Sequence, residues 1–295
     1  MNSYVKSFSS YLNLELHYSP RTSKTYQEAL KEYELFLQEQ HLSFLHISVS
    51  QANQYKAYLV KKGYQSKTSS LYLSAVRSFY QYLVEIKVLE TNPFLAIHNP
   101  KVVKKLPNFL NHSESEALFQ EGKEQNDLTY RNAFILEFLY ATGLRVSELC
   151  QIKIQDILFS EQKIKVMGKG RKERIIFYKA INQNLFDTYI NQVRPRILDG
   201  LESDYLLVSK TGKLTPRSVE KIVKNYAFQK NIKSRVTPHT IRHTFATDLL
   251  NEGADIRSVG ELLGHESLST TQIYTHVTSD RLKQVYQNTH PRNRK

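Results

Sequence analysis

Residues 237–253 read TPHTIRHTFATDLLNEG, which is the pattern of an amphipathic helix with a clear start signal. Thr237 is suited to the N-cap, and Pro238 takes the first helical position, where its missing N–H costs nothing. At about 100° per residue, one arc holds the apolar residues Ile241, Phe245, Ala246, Leu249 and Leu250. The opposite arc, expected to face solvent, holds Thr240, Thr244, Thr247, Asp248 and Asn251. Arg242 falls inside the apolar arc with His239 beside it, so the sequence predicts an inward guanidinium and imidazole.

An inward arginine needs a partner, because an unpaired buried charge is strongly unfavourable. One interpretation is an ion pair with a carboxylate such as Glu148. A zinc site on His239 and His243 is disfavoured, because Thr240 stands where the HExxH motif has its glutamate. The remaining interpretation is a multiply anionic ligand, which arginine can grip bidentately.

The composition favours a polyanionic partner. The chain has 295 residues, with 41 Lys plus Arg against 28 Asp plus Glu and a net charge of +13. Nucleic acid is the first candidate for such a basic protein. The single cysteine, Cys150, excludes an internal disulfide and predicts a buried small hydrophobic residue. The N-terminus does not resemble a secretory signal and no long apolar run is present, so we expect a cytoplasmic protein.

The first part of the chain is predicted to be all-helical. Helical periodicity runs through residues 19–40, 48–63 and 66–88, and the last helix is expected to open at Ser66 or Thr68. Tyrosines are frequent there, and we interpret them as packing residues rather than base-stacking platforms: Tyr55, Tyr58, Tyr72, Tyr80 and Tyr82. The basic residues of these helices are predicted phosphate contacts: Lys61, Lys62, Lys67 and Arg77.

A proline-rich linker separates this part from a mixed second part. We predict a helical domain at residues 1–90 that binds nucleic acid, a linker at 91–105 and a second domain at 106–290. The linker carries further DNA-binding candidates, which are Lys101, Lys104 and Lys105. In the second part Gly143 is expected to end a long apolar helix, and KIKVMGKGRKERIIFY (163–178) predicts a β-hairpin. The fold class is therefore mainly α with a small β-hairpin or sheet, an all-helical first domain and a mixed α+β second domain.

Five cationic or basic side chains of the second part fall where the regular pattern ends. They are Arg145, Lys169, His239, Arg242 and His265. Their convergence predicts a phosphodiester ligand, whose non-bridging oxygens suit arginine. Tyr274 lies nine residues after His265. A phenol has a pKa near 10, so it attacks only with a base and positive surroundings, which these residues would supply.

Five motifs in this order resemble the tyrosine recombinases of the bacterial Xer type. They are ATGLRVSEL (141–149), MGKGRKER (167–174), HTIRHTFATDLL (239–250), LLGHESLSTTQIYTHV (262–277) and HPR (290–292). In the first domain, SPRTSKTYQEAL resembles the core-binding helices of the same family.

The resemblance implies a role for each site residue. Tyr274 would attack the scissile phosphate, forming a 3′-phosphotyrosyl link and freeing a 5′-hydroxyl. Arg145 and Arg242 would grip the phosphate, with Glu148 orienting the surroundings of the first arginine. Lys169 would protonate the leaving oxygen, His239 would take the tyrosine proton, and His265 would hydrogen-bond the phosphate. Neither ATP nor a metal ion is implied.

The resemblance also implies a biological setting. The expected partners are a double-stranded DNA recombination site and a homo- or hetero-tetramer with a second recombinase of the family. A DNA translocase at the septum is a further implied partner, and residues 279–290 are expected to dock into a neighbouring subunit. Resolution of chromosome or plasmid dimers is the expected role. The alternatives left open are a simple integrase of a mobile element, a type IB topoisomerase, and a non-catalytic DNA-binding protein on the same scaffold.

Overall fold

The chain divides into two compact units, Met1–Lys105 and Leu106–Lys295. The computed structural model describes residues 1–16, 18–100, 109–119, 126–168, 173–264 and 276–294. In these ranges helices dominate both units and two small antiparallel sheets lie in the second, which confirms the fold class. Within the described ranges, no helix is both long enough and apolar enough to cross a membrane.

The described part of the first unit contains four helices. They are α1 (Asn2–Leu14), α2 (Pro20–Glu39), α3 (Val49–Lys61) and α4 (Ser66–Glu85). The predicted start of α2 is confirmed, because the Ser19 hydroxyl accepts a hydrogen bond from the Thr22 amide at 3.2 Å and Pro20 is the first helical residue. Helix α4 opens at Ser66, the first of the two predicted positions.

Four of the five tyrosines singled out from the sequence belong to the core of the first unit. Tyr55 and Tyr80 are 0% exposed, and Tyr58 and Tyr82 are also buried. The hydroxyl groups of Tyr33 and Tyr80 lie 2.8 Å apart, and the Tyr80 hydroxyl lies 2.8 Å from the Phe44 carbonyl oxygen, to which it can donate. Side chains enclosed in this way are not available to stack on bases, so the packing interpretation is confirmed for these four, while Tyr72 is half-buried and packs against the same core.

Helices of the second unit surround a central apolar one. In the described residues they are α5 (His112–Phe119), α6 (Asp127–Thr142), α7 (Val146–Leu149), α8 (Gln183–Thr188), α9 (Arg194–Leu198), α10 (Pro216–Gln229), α11 (Pro238–Asn251), α12 (Ile256–Leu263) and α13 (His276–Thr289). Phe134, Phe138 and Leu139 of α6 are fully buried. Cys150 just after α7 is buried as predicted, and burial raises the pKa of its thiol to about 11.

The predicted hairpin is confirmed. Strands β1 (Ile157–Leu158), β2 (Lys163–Met167) and β3 (Glu173–Phe177) form one antiparallel sheet in that order, and β4 (Val208–Ser209) pairs with β5 (Gly212–Lys213). Ile164 pairs with Ile176, and Val166 pairs with Arg174. Alternation along β3 places Arg174 and Ile176 on the same buried face, so a charged side chain enters the interior.

The C-terminal helix packs on its own unit. Leu282, Tyr286 and His290 recur every four residues and are buried, and the Tyr286 hydroxyl donates to the Ala141 carbonyl at 2.9 Å while accepting from the Ala180 amide at 3.1 Å. These side chains are therefore used within the chain. Docking of residues 279–290 into a neighbouring subunit stays a prediction.

Candidate active site

Helix α11 starts where the sequence predicts. The Thr237 hydroxyl accepts a hydrogen bond from the Thr240 amide at 3.1 Å, and the Thr237 amide donates back to the Thr240 hydroxyl at 3.3 Å. This reciprocal capping box and Pro238 at the first turn set the first residues of the helix. Arg242 follows one turn later with its side chain inward, and it is 8% exposed.

Two expectations for α11 are wrong. His239 is exposed rather than inward, so its imidazole is open to a ligand from solvent. Thr240 and Thr244 are buried, although their arc was expected to face water. Thr244 is covered by the segment before α5, where the Leu110 amide donates to its hydroxyl at 3.0 Å, and the Thr240 hydroxyl donates to the Arg235 carbonyl oxygen at 3.2 Å.

Arg242 is held by backbone carbonyl groups. Its Nη1 donates to the Gly143 oxygen at 2.5 Å and its Nη2 to the Leu263 oxygen at 2.7 Å. Among the described residues it makes no ion pair with Glu148, so the carboxylate pair named from the sequence does not form. Burial, together with the nearby charges of Arg145 and Arg174 and partly offset by Glu148, lowers the pKa of Arg242 to about 10. It therefore stays charged at neutral pH.

The two carbonyl groups belong to helix ends. Gly143 ends α6 with φ +60°, and Gly264, which follows Leu263, ends α12 with φ +68°. Helix C-termini expose carbonyl groups with partial negative charge, which favour cations. The left-handed glycines turn the chain at these points, so both turns present carbonyl oxygens to the same arginine.

Arg145 approaches the same turn from the other side. Its Nη2 donates to the Gly264 oxygen at 3.2 Å, while its Nη1 donates to Glu148 Oε1 at 2.9 Å. Its backbone amide donates to Glu148 Oε2, also at 2.9 Å. Glu148 thus fixes both the main chain and the side chain of Arg145, as expected from the sequence.

A third arginine completes the arrangement. Arg174 binds both oxygens of Glu148 at 2.9 Å through Nη1 and Nη2. Burial of Glu148 acts to raise its pKa, but the hydrogen bonds and charge of Arg174, with those of Arg145, outweigh it and bring the pKa below the ordinary value. Two guanidinium groups therefore contact one ionised carboxylate and Arg242 lies nearby, so among the described residues the cluster holds three arginines and one glutamate, which suits an anionic ligand.

The remaining predicted site residues lie partly outside this arrangement. Lys169, His265 and Tyr274 are outside the described residues, and so are the DNA-binding candidates Lys101, Lys104 and Lys105. The structure therefore brings together Arg145 and Arg242, with His239 on the first turn of the same helix as Arg242.

The DNA-binding candidates of the first unit differ in their surroundings. Lys61 and Lys67 are exposed, whereas Lys62 is paired with Glu39 at 3.1 Å. Arg77 is engaged inside the unit: it donates to the Phe94 and Ile97 carbonyl oxygens at 3.0 and 2.6 Å. These bonds tie the end of the unit to α4, which differs from the phosphate contact expected from the sequence.

Sequence reasoning missed Arg174. A signal was present, because this arginine is in phase with Ile176 on the buried face of the predicted strand. The period of two along the hairpin places Arg174 among apolar residues, just as the helical period of α11 places Arg242 in its apolar arc.

Comparison with known proteins decides the family. The model of the phage integrase family matches residues 108–281, and that of the phage integrase N-terminal SAM-like domain matches residues 5–87. Tyrosine recombinase XerC of Halalkalibacterium halodurans is 43% identical over 98% of this chain and 97% of its own length. The chain belongs to the tyrosine recombinases of the phage integrase family. The resemblance inferred from its motifs is confirmed, and so is its class as a site-specific recombinase that breaks and rejoins DNA.

Relatives named XerC and relatives named XerD both match this recombinase over nearly its full length. Besides the XerC protein, tyrosine recombinase XerD of Staphylococcus haemolyticus is 38% identical over 99% of this chain and 100% of its own length. Among solved structures, XerH site-specific recombinase bound to a palindromic difH substrate has a TM-score of 0.71, with 22% identity, covering 97% of this chain and 84% of that one. A λ integrase (75–356) dimer bound to a COC′ core site has a TM-score of 0.69 at 16% identity, covering 94% and 99%. Both likenesses concern the fold.

Proposed function

We propose that this recombinase cuts DNA through a 3′-phosphotyrosyl intermediate on Tyr274, with Arg145 and Arg242 holding the scissile phosphate. One observation carries the proposal: the two guanidinium groups donate to adjacent carbonyl oxygens, those of Gly264 and Leu263, inside a cluster whose described members are three arginines and one glutamate. In the transition state of strand cleavage, the phosphodiester gains negative charge on its non-bridging oxygens. Preorganised arginines stabilise that charge without reorganisation during the reaction.

The proposed step keeps atoms and protons in balance. The Tyr274 oxygen forms a bond to phosphorus while the bond from phosphorus to the 5′-oxygen breaks. His239 takes the phenolic proton, Lys169 gives a proton to the departing 5′-oxygen, and His265 hydrogen-bonds the phosphate. The exposed position of His239 at the start of α11 is compatible with a base that meets its substrate from solvent. The ester conserves the bond energy, so a 5′-hydroxyl reverses the step with neither ATP nor a metal ion.

The domain roles follow the same proposal. Residues 1–90 would bind the DNA core site, residues 91–105 would link the domains, and residues 106–290 would carry catalysis. Exposed Lys61 and Lys67 support phosphate contacts from the first unit. Two such lysines would contribute affinity without sequence selectivity.

The proposed biological role is resolution of chromosome dimers for segregation at cell division. Full-length similarity to proteins named XerC and XerD supports it. We further propose that the chain acts on two DNA sites as a tetramer, alone or with a second recombinase, and that a DNA translocase at the septum is a partner. A dimer and a tetramer of λ integrase on DNA give the assembly a structural precedent on the same fold.

The test replaces the nucleophile. Tyr274→Phe should retain DNA binding and form no covalent adduct on a DNA substrate nicked near the cleavage point, where release of a short fragment traps the ester. Tyr130→Phe, at the far end of α6 from Gly143, is the matched control and should form adduct at the wild-type rate. Adduct formation by Tyr274→Phe would mean another nucleophile. Sequencing of DNA ends trapped in cells separates one chromosomal locus, expected for dimer resolution, from the borders of a mobile element.

A further inference from the structure

Arg174 is a buried arginine to which the proposed chemistry assigns no role. Its side chain is 6% exposed and lies on the inner face of β3 beside Ile176. Burying a guanidinium is costly unless its charge is paired. Its position at the base of the hairpin therefore calls for an explanation beyond packing.

The contacts of Arg174 lead directly to Arg145. Each oxygen of Glu148 accepts one hydrogen bond from Arg174 and one from Arg145: Oε1 from the two Nη1 atoms, and Oε2 from Arg174 Nη2 and the Arg145 amide. A bidentate fork fixes the carboxylate in both position and orientation. Because Arg145 is bound to that carboxylate by main chain and side chain, Arg174 sets where Arg145 stands.

Arg174 also contacts the turn at Leu263 and Gly264, which accepts hydrogen bonds from the two arginines proposed to hold the phosphate. A Cβ added to Gly264 would lie 3.0 Å from its Nε and Cζ and 3.1 Å from its Nη1. The guanidinium therefore packs directly on the glycine, with no room for a side chain. The same turn accepts hydrogen bonds from Arg145 at Gly264 and from Arg242 at Leu263.

The hydrogen bonding of Arg174 is committed to Glu148. Its Nε is buried and has no partner among the described residues, although a buried donor left unsatisfied is unfavourable. An arginine kept only for packing would be expected to satisfy this donor. Here the two Nη groups are used on one carboxylate, and Nε is turned toward Gly264.

We propose that Arg174 is a positioning residue for DNA cleavage, which clamps Glu148 and abuts Gly264 so that Arg145 and Arg242 keep a fixed separation. The proposal rests on the proposed role of Arg145 in holding the scissile phosphate. Arg174 itself touches Glu148 and the turn, and it acts through Arg145. Lysine cannot replace it, because a single ammonium group has no planar fork.

The test uses the full-length chain with Arg174→Lys, and it measures adduct formation on the nicked substrate at saturating DNA. The rate constant should fall about 100-fold, the size expected when a catalytic group is misplaced by about 1 Å, while the DNA dissociation constant stays within about twofold. Arg131→Lys is the matched control. Arg131 is equally buried in the same unit and donates to the Val208 carbonyl at 3.2 Å, so its variant should cleave within about twofold of wild type.

A double-mutant cycle separates positioning from general damage. If Arg174 acts through Arg145, then adding Arg174→Lys to an Arg145→Lys chain should lower the rate constant of adduct formation by little more than about threefold. The reason is that the effects of coupled residues are not additive. If the double variant loses the product of the two single-variant losses in rate constant, the proposal is overturned. If Arg174→Lys does not fold, Glu148→Gln provides the same cycle, since it weakens the shared carboxylate and keeps its shape.

The outcomes distinguish this inference from the proposed function. If the wild-type chain binds the substrate but forms no adduct, the proposed cleavage chemistry is contradicted. A wild-type chain that forms adduct, with Arg174→Lys equally fast, would overturn only the positioning role.

Discussion

Arg242 and Gly143 join two helices that are far apart in sequence: Arg242 Nη1 donates to the Gly143 carbonyl oxygen at 2.5 Å. Gly143 is the left-handed cap of α6, and Arg242 lies on α11, so the cap provides an acceptor that keeps the guanidinium in place. The same cap begins the turn that leads to Arg145. The end of one helix thus determines the position of both arginines proposed to hold the phosphate.

Gly143→Ala should damage both stability and cleavage. A Cβ there would lie 2.4 Å from Phe245 Cδ1 and 2.6 Å from Cε1, and the backbone has φ +60°. Overpacking and left-handed strain together should lower the free energy of unfolding by about 2–4 kcal/mol. Denaturant unfolding of the second unit and the adduct rate measure the two effects.

Gly253→Ala is the control for Gly143→Ala. Gly253 follows α11 in the same unit with φ +91°, but nothing lies within 4 Å of its added Cβ. It should lose only the strain of the left-handed backbone, about 1 kcal/mol, and keep the cleavage rate. If the two variants lose the same free energy of unfolding, the contact with Phe245 does not contribute to the effect of Gly143→Ala.

DNA affinity should depend steeply on salt. With a net charge of +13, binding dominated by phosphate contacts should weaken about 10³-fold or more between about 50 and about 200 mM salt. Lys61→Gln and Lys67→Gln should each reduce the salt slope by about 1, because both lysines are exposed. Fluorescence anisotropy titrations at several salt concentrations measure the slope.

Lys62→Gln and Arg77→Gln are the controls for that slope. Lys62 is paired with Glu39, so its replacement should change the slope less than that of Lys61. Arg77 binds carbonyl groups of its own unit, so Arg77→Gln should lower the unfolding temperature rather than the slope. If Arg77→Gln has normal stability but a reduced salt slope of DNA binding, Arg77 is a phosphate contact as the sequence predicts.

Acid should loosen the C-terminal segment through His290. This residue is 1% exposed, its Nδ1 accepts from the Arg292 amide at 3.2 Å, and burial lowers its pKa to about 4. Above its unfolded value near 6.5, folding carries no protonation cost. Between about pH 6.5 and about pH 4, His290 is protonated in the unfolded chain but stays neutral in the folded chain. The free energy of unfolding should therefore fall by about 2 kcal/mol by pH 5.

His290→Asn tests this dependence. Asparagine offers an acceptor near the position of Nδ1 but does not titrate, so the fall in unfolding free energy between pH 7 and pH 5 should shrink by about 2 kcal/mol. An unchanged pH dependence in His290→Asn would exclude His290 as its source.

Much of the local structure could be predicted from the sequence. The capped starts of α2 and α11, the glycine end of α6, the hairpin and the buried Arg242 are each specified by residues close in sequence. Capping, left-handed glycine and the alternation of a strand act over a few residues, so their signals are local. The ordered motifs were equally local and were sufficient to identify the family.

Tertiary structure decided which partners these residues meet. The burial of Thr244 depends on Leu110, which is 134 residues away, and Arg242 is bound by Gly143 and Leu263 rather than by Glu148. A helix period specifies which residues share a face, but the element that covers that face is determined by packing between distant segments. For the same reason Arg174, a single strand residue in the sequence, became the partner of Glu148 only when the hairpin folded against α7.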